Sequence, residues 1–220
     1  MNDRETPINL SSAEFKKLGY QLVDSISDFL TAIDEKPVTP GETPKQIQQL
    51  IKVGNLPENG GDPAALLDRT TQLLFNHSLF NGHPKFFGYI TSSPAPFGVL
   101  AELLAAAINP NVGAQILSPV ATEIEKQTIK WIADFVGVED TWDGILVSGG
   151  NMANFTAFLA ARTAMAGNDL KAEGIKQKKL IVYCSRTTHT WIEKAMVLFG
   201  HGIKTHCGPS NIQAQMSTEG

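Results

Sequence analysis

The chain has few cysteines, little charge of either sign and no long apolar run, and each shortage excludes a class of protein. Two cysteines in 220 residues are too few for a disulfide framework or a zinc site, and they favour a reducing cytoplasm. The sequence contains no run of about 18 apolar residues, so no membrane span is predicted. The polar start, MNDRETPINL, predicts no signal peptide. A formal net charge of -4 without a basic cluster argues against a nucleic-acid partner. His201, His206 and Cys207 match no ordinary metal-ligand spacing, so no metal is expected.

The first third of the chain predicts amphipathic helices separated by proline-rich breaks. Ser11 followed by Glu14 is typical of a capping box, and apolar residues then recur every three or four positions. Prolines and glycines interrupt the pattern in KPVTPGETP and NLPENGGDP. A short helix is expected over 45–52, and Asp-Pro at 62–63 predicts another start. Such separated helices need an apolar surface to cover them, which we expect another subunit to provide.

Alternating strands and helices are predicted in the second half of the chain. The runs GILVS and KLIVYCS are typical of buried strands, and a helical pattern follows each. Before them, SPVATEIEKQTIKWIADFVGV predicts a long helix with Ser118 as its cap and Gly137 at its end. The order strand, helix, strand, helix predicts an α/β fold with a parallel sheet covered by helices.

A glycine pair, in SGGN at residues 148–151, joins the first predicted strand to its helix. A helix start presents unpaired amides and the positive end of the helix dipole, which attract an anion. Glycine lets the backbone approach a phosphate because it has no Cβ, and Asn151 adds a side-chain donor. Neither a Walker sequence nor G-x-G-x-x-G is present. Gly149 and Gly150 therefore predict either a phosphate site of another kind or a tight turn that needs glycine only for its geometry.

Two further candidates are a histidine at the same predicted sheet edge and an aromatic loop earlier in the chain. His189 follows the second predicted strand, where ligands of parallel sheets bind, and there a histidine stacks on a flat cofactor or transfers a proton. The alternative for His189 is an ordinary capping or core residue. In the turn-rich loop HPKFFGYITSS, Tyr89 is a candidate for a pocket wall, whereas Phe86 and Phe87 are expected to anchor the loop to the core.

Four segments in this order resemble the pyridoxal-phosphate-dependent group II amino acid decarboxylases, the family of the aromatic-L-amino-acid, histidine and glutamate decarboxylases. They are HPKFFGY, SPVATEIEKQTIKWI, DGILVSGGNMANFTAFLAART and SRTTHTWIEKA. The resemblance implies a type I pyridoxal-phosphate fold, with an incomplete large domain behind a helical amino-terminal segment. It divides the chain into a dimerisation segment over 1–80 and the first part of the cofactor-binding large domain over 81–220.

The resemblance also implies roles for individual residues. Gly150 and Asn151 would hold the phosphate of pyridoxal 5'-phosphate, with Gly149 shaping the turn. His189 would stack on the pyridine ring and assist proton transfer. Two loops would border the substrate: Tyr89, Ile90 and Thr91 in the first, and Asn111 to Gly113, contributed to the partner subunit of a homodimer, in the second.

The activity implied by the resemblance is decarboxylation of an L-amino acid to an amine and carbon dioxide in the cytoplasm. In the family, the lysine that binds the cofactor covalently and the aspartate that keeps its ring nitrogen protonated come later in the sequence. The chain is therefore expected to be an amino-terminal part, inactive by itself. Its polar ending, THCGPSNIQAQMSTEG, is interpreted as truncation, frame shift or deliberate shortening.

Several alternatives to decarboxylation remain at the level of sequence. A sister activity on the same fold is the nearest one, either an aldehyde synthase or a carbon–carbon lyase. A fragment that binds only the cofactor phosphate, or that pairs with a full-length subunit, would not be an enzyme. A nucleotide-binding βα domain is a further class, and the missing Walker and Rossmann patterns count against it.

Overall fold

The computed structural model of the chain describes residues 9–52, 54–139, 141–166, 170–174, 180–185, 187–202 and 206–207. They fall into two compact units that divide between Asn109 and Pro110. The first unit contains α1 (Ser12–Thr31), a 3₁₀ turn (Ile33–Glu35), α2 (Pro44–Ile51), α3 (Pro63–His77) and α4 (Pro96–Ile108). The second contains α5 (Pro119–Val136), α6 (Gly150–Ala166), α7 (Leu170–Glu173), β1 (Val182–Tyr183), α8 (Trp191–Leu198) and β2 (His206–Cys207). The functional boundary predicted between residues 80 and 81 stays a prediction. Among the described residues, no helix is long and apolar enough to cross a bilayer.

Local signals in the sequence set most helix ends where they were predicted. Ser11 and Glu14 form the capping box: the Ser11 hydroxyl accepts from the Glu14 amide at 3.2 Å, and the Glu14 carboxylate accepts from the Ser11 amide at 3.0 Å. Hydrogen bonds from the Ser11 hydroxyl and then its amide lower the pKa of Glu14. Asp62 accepts from the Ala65 amide at 2.8 Å at the start of α3. Gly137 ends α5 at φ 75°, a left-handed value that favours glycine.

Ser118 is the N-cap residue of α5, as predicted, but it caps the helix without its side chain. Pro119 is the first residue of the helix, as expected, but the Ser118 side chain makes no capping hydrogen bond. Ser118 adopts φ -146° and ψ 67° and is only 5% exposed. Its carbonyl accepts from the Thr122 hydroxyl at 2.8 Å. Its amide donates to the carbonyls of Ala114 and Gln115 at 3.2 Å, so Ser118 also ends the preceding turn.

The strand predicted at GILVS is wrong as well. Residues 142–147 form no strand, and the amide of Leu146 donates to the carboxylate of Glu125 on α5 at 2.8 Å. This segment therefore packs along a helix, and an apolar run becomes a strand only where a neighbouring strand pairs with it. The pairing described is β1 with β2, in parallel, with Val182 opposite His206 and Tyr183 opposite Cys207. That pair agrees with the predicted parallel sheet.

Aromatic rings join α1, α3 and the loop after α3 in the first unit. Phe29 stacks on Phe75 with ring centroids 4.3 Å apart and contacts Phe80 at 5.3 Å. Phe80 is only 7% exposed, whereas Phe87 is 92% exposed. The prediction that Phe87 anchors its loop is therefore wrong, and Phe86 is only half-buried. The anchor lies a few residues earlier because Phe80 faces the aromatic pair of α1 and α3.

His83 ties the same loop to the segment after α1. Its Nε2 lies 2.8 Å from the carbonyl oxygen of Lys36, and its Nδ1 accepts from the amide of Lys85 at 3.0 Å. Because a carbonyl only accepts, the ring proton must be on Nε2. His83 is 3% exposed. It therefore acts as a buried structural bridge between two proline-interrupted segments 47 residues apart.

We expect His83→Ala to lower the free energy of unfolding by about 2–4 kcal/mol, because two buried hydrogen bonds are lost and main-chain partners are left unpaired. Urea titration followed by circular dichroism measures the change. His77→Ala is the matched control: the His77 ring contacts the Glu42 carboxylate at 2.5 Å, but both side chains are partly exposed, so its cost stays within about 1 kcal/mol. Equal losses in both variants would contradict the bridging role.

The packing of α6 on α8 forms the core of the second unit. Phe158 stacks on Phe199 at 5.6 Å and meets the ring of Trp191 edge-on at 6.3 Å. Ala195 and Met196 on α8 are fully buried. At the other end of the cluster, burial and then the charge of Arg162 lower the pKa of His201. This packing holds the amino-terminal ends of α6 and α8 beside one cleft.

Candidate functional site

The turn before α6 has the geometry of an anion cradle. Gly149 adopts φ 84°, a left-handed value that side chains disfavour. Its carbonyl accepts from the Ala153 amide at 3.1 Å, so Gly149 is the residue that caps the helix. The amides of the next turn have no acceptor within the helix and stand at the positive end of its dipole. A Cβ built on Gly149 or Gly150 meets no atom within 4 Å, so the space above the turn is open.

Sequence-predicted residues from two separate segments meet at this turn. A cleft of about 610 Å³ lies within the usual volume range of small-molecule sites. Its lining consists of Ser148, Gly149, Gly150, Asn151, Asn154, His189 and Trp191. Four of these seven are the phosphate and ring residues expected from the sequence. Their convergence favours the binding interpretation of the glycine pair over that of a purely geometric turn.

His189 reaches the cleft from the loop between β1 and α8. It is exposed, and its Nδ1 accepts a hydrogen bond from the main-chain amide of Trp191 at 3.2 Å. The His189 carbonyl accepts from the amide of Ile192 at 3.3 Å, so the residue also starts the turn that leads into α8. The alternative of a buried core histidine is thereby excluded for His189. The ring is at once a helix-end residue and part of the cleft wall.

Three cleft residues were not predicted from the sequence. Asn154 lies three positions after Asn151 on α6, and this spacing places both on one helix face. That spacing was a signal available in the sequence. Ser148 belongs to the glycine turn itself. Trp191 had no such signal, because its position depends on the packing of its ring against Phe158.

The loop expected to border the substrate lies in the first unit, whereas the cleft lies in the second. Tyr89 and Ile90 are almost fully exposed, at 92% and 105%, and Thr91 is exposed too. Tyr89 adopts φ 59°, a left-handed conformation that costs a residue with a Cβ about 1–2 kcal/mol. Strained backbone of this kind is frequent at functional sites. The substrate-side role of these three residues stays a prediction.

The second loop expected to border the substrate, Asn111 to Gly113, lies at the start of the second unit. There the Asn111 side chain accepts from the amide of Gly113 at 3.0 Å and closes a short turn. All residues from 109 to 117 are exposed. Its role also stays a prediction. In the described part of the chain, no three histidine, cysteine or acidic side chains group as metal ligands.

Comparison with known proteins places these residues in a family. Residues 44–216 match the model of the pyridoxal-dependent decarboxylase conserved domain. An aromatic-L-amino-acid decarboxylase of Bacillus atrophaeus is 34% identical over 193 residues, which cover 88% of this chain and 38% of the relative. A phenylacetaldehyde synthase of Petunia hybrida is 28% identical over 213 residues, covering 96% of this chain and 41% of the relative. The chain thus spans about two fifths of the length of these relatives.

A solved structure shows the same fold. The glutamate decarboxylase domain of a Vibrio parahaemolyticus protein superposes with a TM-score of 0.80 at 23% identity. The match covers 93% of this chain and 45% of that one. The predicted fold is thereby confirmed for this portion, while the arrangement of the sheet beyond β1 and β2 stays a prediction.

Proposed function

Because the chain belongs to the pyridoxal-dependent decarboxylase family, we propose that it forms the phosphate end of a pyridoxal-phosphate site. The protein's activity would be decarboxylation of an L-amino acid to an amine and carbon dioxide. The observation that carries the proposal is the single cleft that joins the glycine turn of α6 to His189. Two chain segments about 40 residues apart supply the two groups that this cofactor needs, an anion cradle and a flat ring.

The residues present fit the phosphate of such a cofactor. The open space over Gly149 and Gly150 admits an anion close to the backbone. The first amides of α6 have no acceptor within the helix, and Asn151 adds an amide side chain to the lining of the cleft. The described residues of the cleft include no carboxylate that would repel the phosphate.

Each group in the cleft has a defined task in the proposed reaction. The cofactor, when bound, supplies an electron sink for decarboxylation. The amides of Gly150 and Asn151 fix the phosphate and so set the position of the ring. His189 lines the cleft, where its imidazole would limit access of water to the cofactor ring and supply an N–H beside it. Trp191 supports His189 through its main-chain amide.

The substrate class and one alternative activity follow from relatives and stay open to test. One relative is named an aldehyde synthase, so an aldehyde product is the second candidate. Product analysis separates the two when it is made on a longer protein that contains this chain together with the lysine-bearing part, incubated with pyridoxal phosphate and L-amino acids. An amine in equal amount to the carbon dioxide supports decarboxylation, and an aldehyde supports the alternative.

We further propose that the protein acts as a homodimer in the cytoplasm. Support for association comes from α4 and α5, on which large apolar side chains such as Phe97, Trp131 and Phe135 are 63–92% exposed. Large apolar side chains that are exposed along a helix mark interaction sites. Support for a reducing compartment comes from Cys184, which is a free thiol.

Asn151→Asp tests the phosphate site without unfolding it. The change keeps the size of the side chain and places a negative charge at a helix start, where it stabilises the helix. The same charge repels the cofactor phosphate, so we expect affinity for pyridoxal phosphate to fall more than about tenfold. Equilibrium dialysis measures the affinity, and thermal unfolding checks the fold.

Asn76→Asp is the matched control for Asn151→Asp. It makes the same chemical change on α3, where Asn76 accepts from Lys36 at 3.2 Å, and it should leave the affinity unchanged. Unaltered affinity in Asn151→Asp, with a folded protein, would refute the phosphate site at the α6 turn.

A further inference from the structure

Two sets of short contacts hold His189 in the loop between β1 and α8. At the start of the loop, the Ser185 hydroxyl lies 2.8 Å from that of Thr187 and accepts from the Thr187 amide at 3.1 Å. The Ser185 carbonyl accepts from the amide of Thr188 at 3.1 Å. At the end of the loop, the Trp191 amide donates to Nδ1 of His189 at 3.2 Å. The histidine is therefore held both by a turn before it and by a helix start after it.

The contact at Nδ1 determines which ring nitrogen carries the proton. A main-chain amide is only a donor, so it bonds to a nitrogen that has a free lone pair. Nδ1 is thus unprotonated, and in the neutral ring the proton resides on Nε2. In histidine, the hydrogen bond made by one ring nitrogen commonly determines whether the other nitrogen is protonated.

We propose that Ser185 and the main-chain amide of Trp191 are positioning groups that fix His189 as its Nε2-protonated tautomer. His189 then enters the cleft as a hydrogen-bond donor and not as a base. His189 lines the cleft together with the glycine turn, and an anionic oxygen of a ligand bound there is a natural acceptor for its N–H. The identity of that ligand rests on the proposed function, whereas the tautomer and its supports do not.

Ser185 acts on His189 through the loop and does not line the cleft. Its hydroxyl closes a turn over Thr187, which is the kind of local side-chain contact that fixes loop backbones. Loss of that hydroxyl removes both side-chain contacts of the turn and loosens the loop, while the Trp191 amide stays in place on α8. The amide then has no oriented ring to bond, because His189 lies on the freed loop.

The test is a nuclear magnetic resonance measurement on the full chain without cofactor. In protein labelled with ¹⁵N, a scalar coupling across the hydrogen bond gives a cross-peak between the Trp191 amide nitrogen and Nδ1 of His189. Ring spectra report in parallel which nitrogen carries the proton, and His189→Gln identifies the signals by their loss. We expect the cross-peak, an unprotonated Nδ1 and a protonated Nε2.

Substitutions at Ser185 separate positioning from folding. Ser185→Ala should abolish the cross-peak and move the ring nitrogen shifts towards those of a free histidine, with other amide signals unchanged. Ser185→Thr keeps the hydroxyl and should restore both readouts. A cross-peak that persists in Ser185→Ala would overturn the role of Ser185, and a proton on Nδ1 in the unaltered protein would overturn the tautomer assignment.

The outcome is independent of the proposed function. If the cross-peak is present but the chain does not bind pyridoxal phosphate, the positioning of His189 stands and the cofactor assignment fails. If the cofactor binds but Nδ1 carries the proton, the cofactor assignment stands and the positioning fails.

Discussion

Gly149→Ala is expected to weaken phosphate binding in the cleft by about 5- to 30-fold. Gly149 adopts φ 84°, and a residue with a Cβ pays about 1–2 kcal/mol there. The variant relieves this strain by rotating the turn, which aims the amide of Gly150 away from the cleft. Binding must restore the strained turn, so the strain energy appears as lost affinity at 1.4 kcal/mol per tenfold. Calorimetric titration with pyridoxal phosphate and with inorganic phosphate measures it.

Gly137→Ala is the control for Gly149→Ala. Gly137 has a similar left-handed φ of 75°, a built Cβ meets nothing within 4 Å, and the residue ends α5 outside the cleft lining. Gly137→Ala should therefore lose about 1–2 kcal/mol of stability and keep its phosphate affinity, whereas Gly149→Ala should lose phosphate affinity. If Gly149→Ala binds phosphate as tightly as the unaltered chain, the turn is not the cradle.

Signals that act over three or four residues predicted the structure well. The capping box at Ser11, the cap at Asp62 and the glycine end of α5 all form as expected, because each depends on a few neighbouring backbone groups. The cleft was predictable for a related reason. Its two parts each follow an apolar run and precede a helix, and the packing of Phe158 on α6 against Trp191 and Phe199 brings the two helix starts together.

Features that depend on distant partners were not predictable. His83 bonds to a carbonyl 47 residues away, and no local pattern distinguishes it from a pocket residue. Phe86 and Phe87 are adjacent residues of the same type, and nothing in the sequence distinguishes them. Only the fold determines that the ring of Phe87 is 92% exposed. GILVS has the apolar run of a strand, but the strand state requires a paired neighbour, which a local pattern does not supply.

The chain is expected to associate through the outer face of α5, the prediction on which the proposed homodimer depends. Val120, Ile124, Trp131 and Phe135 recur at spacings of four and seven and are 62–92% exposed. The other face of the helix is occupied, since Glu125 bonds to the amide of Leu146 and the Cβ position of Gly144 lies 3.3 Å from Ile129. The exposed side chains therefore form one apolar stripe along α5.

Trp131→Glu combined with Phe135→Glu is expected to raise the dissociation constant of the dimer more than about a hundredfold. Each buried aromatic side chain contributes about 1.5–3 kcal/mol, and a two-fold interface contains each residue twice. One of the two aromatic residues, present once in each subunit, already contributes about 3 kcal/mol, which is about a hundredfold in the dissociation constant. Sedimentation velocity over a concentration series measures the dissociation constant.

Lys126→Glu provides the control for charge on the same helix. Lys126 is exposed and pairs with Glu123 at 2.8 Å, so its reversal adds negative charge but removes no aromatic surface, and an exposed pair contributes little. Association of the control should stay within a few-fold of the unaltered chain. A monodisperse monomer of the unaltered chain at all concentrations would contradict the stripe as an interface, and so would a double variant that associates as strongly as the control.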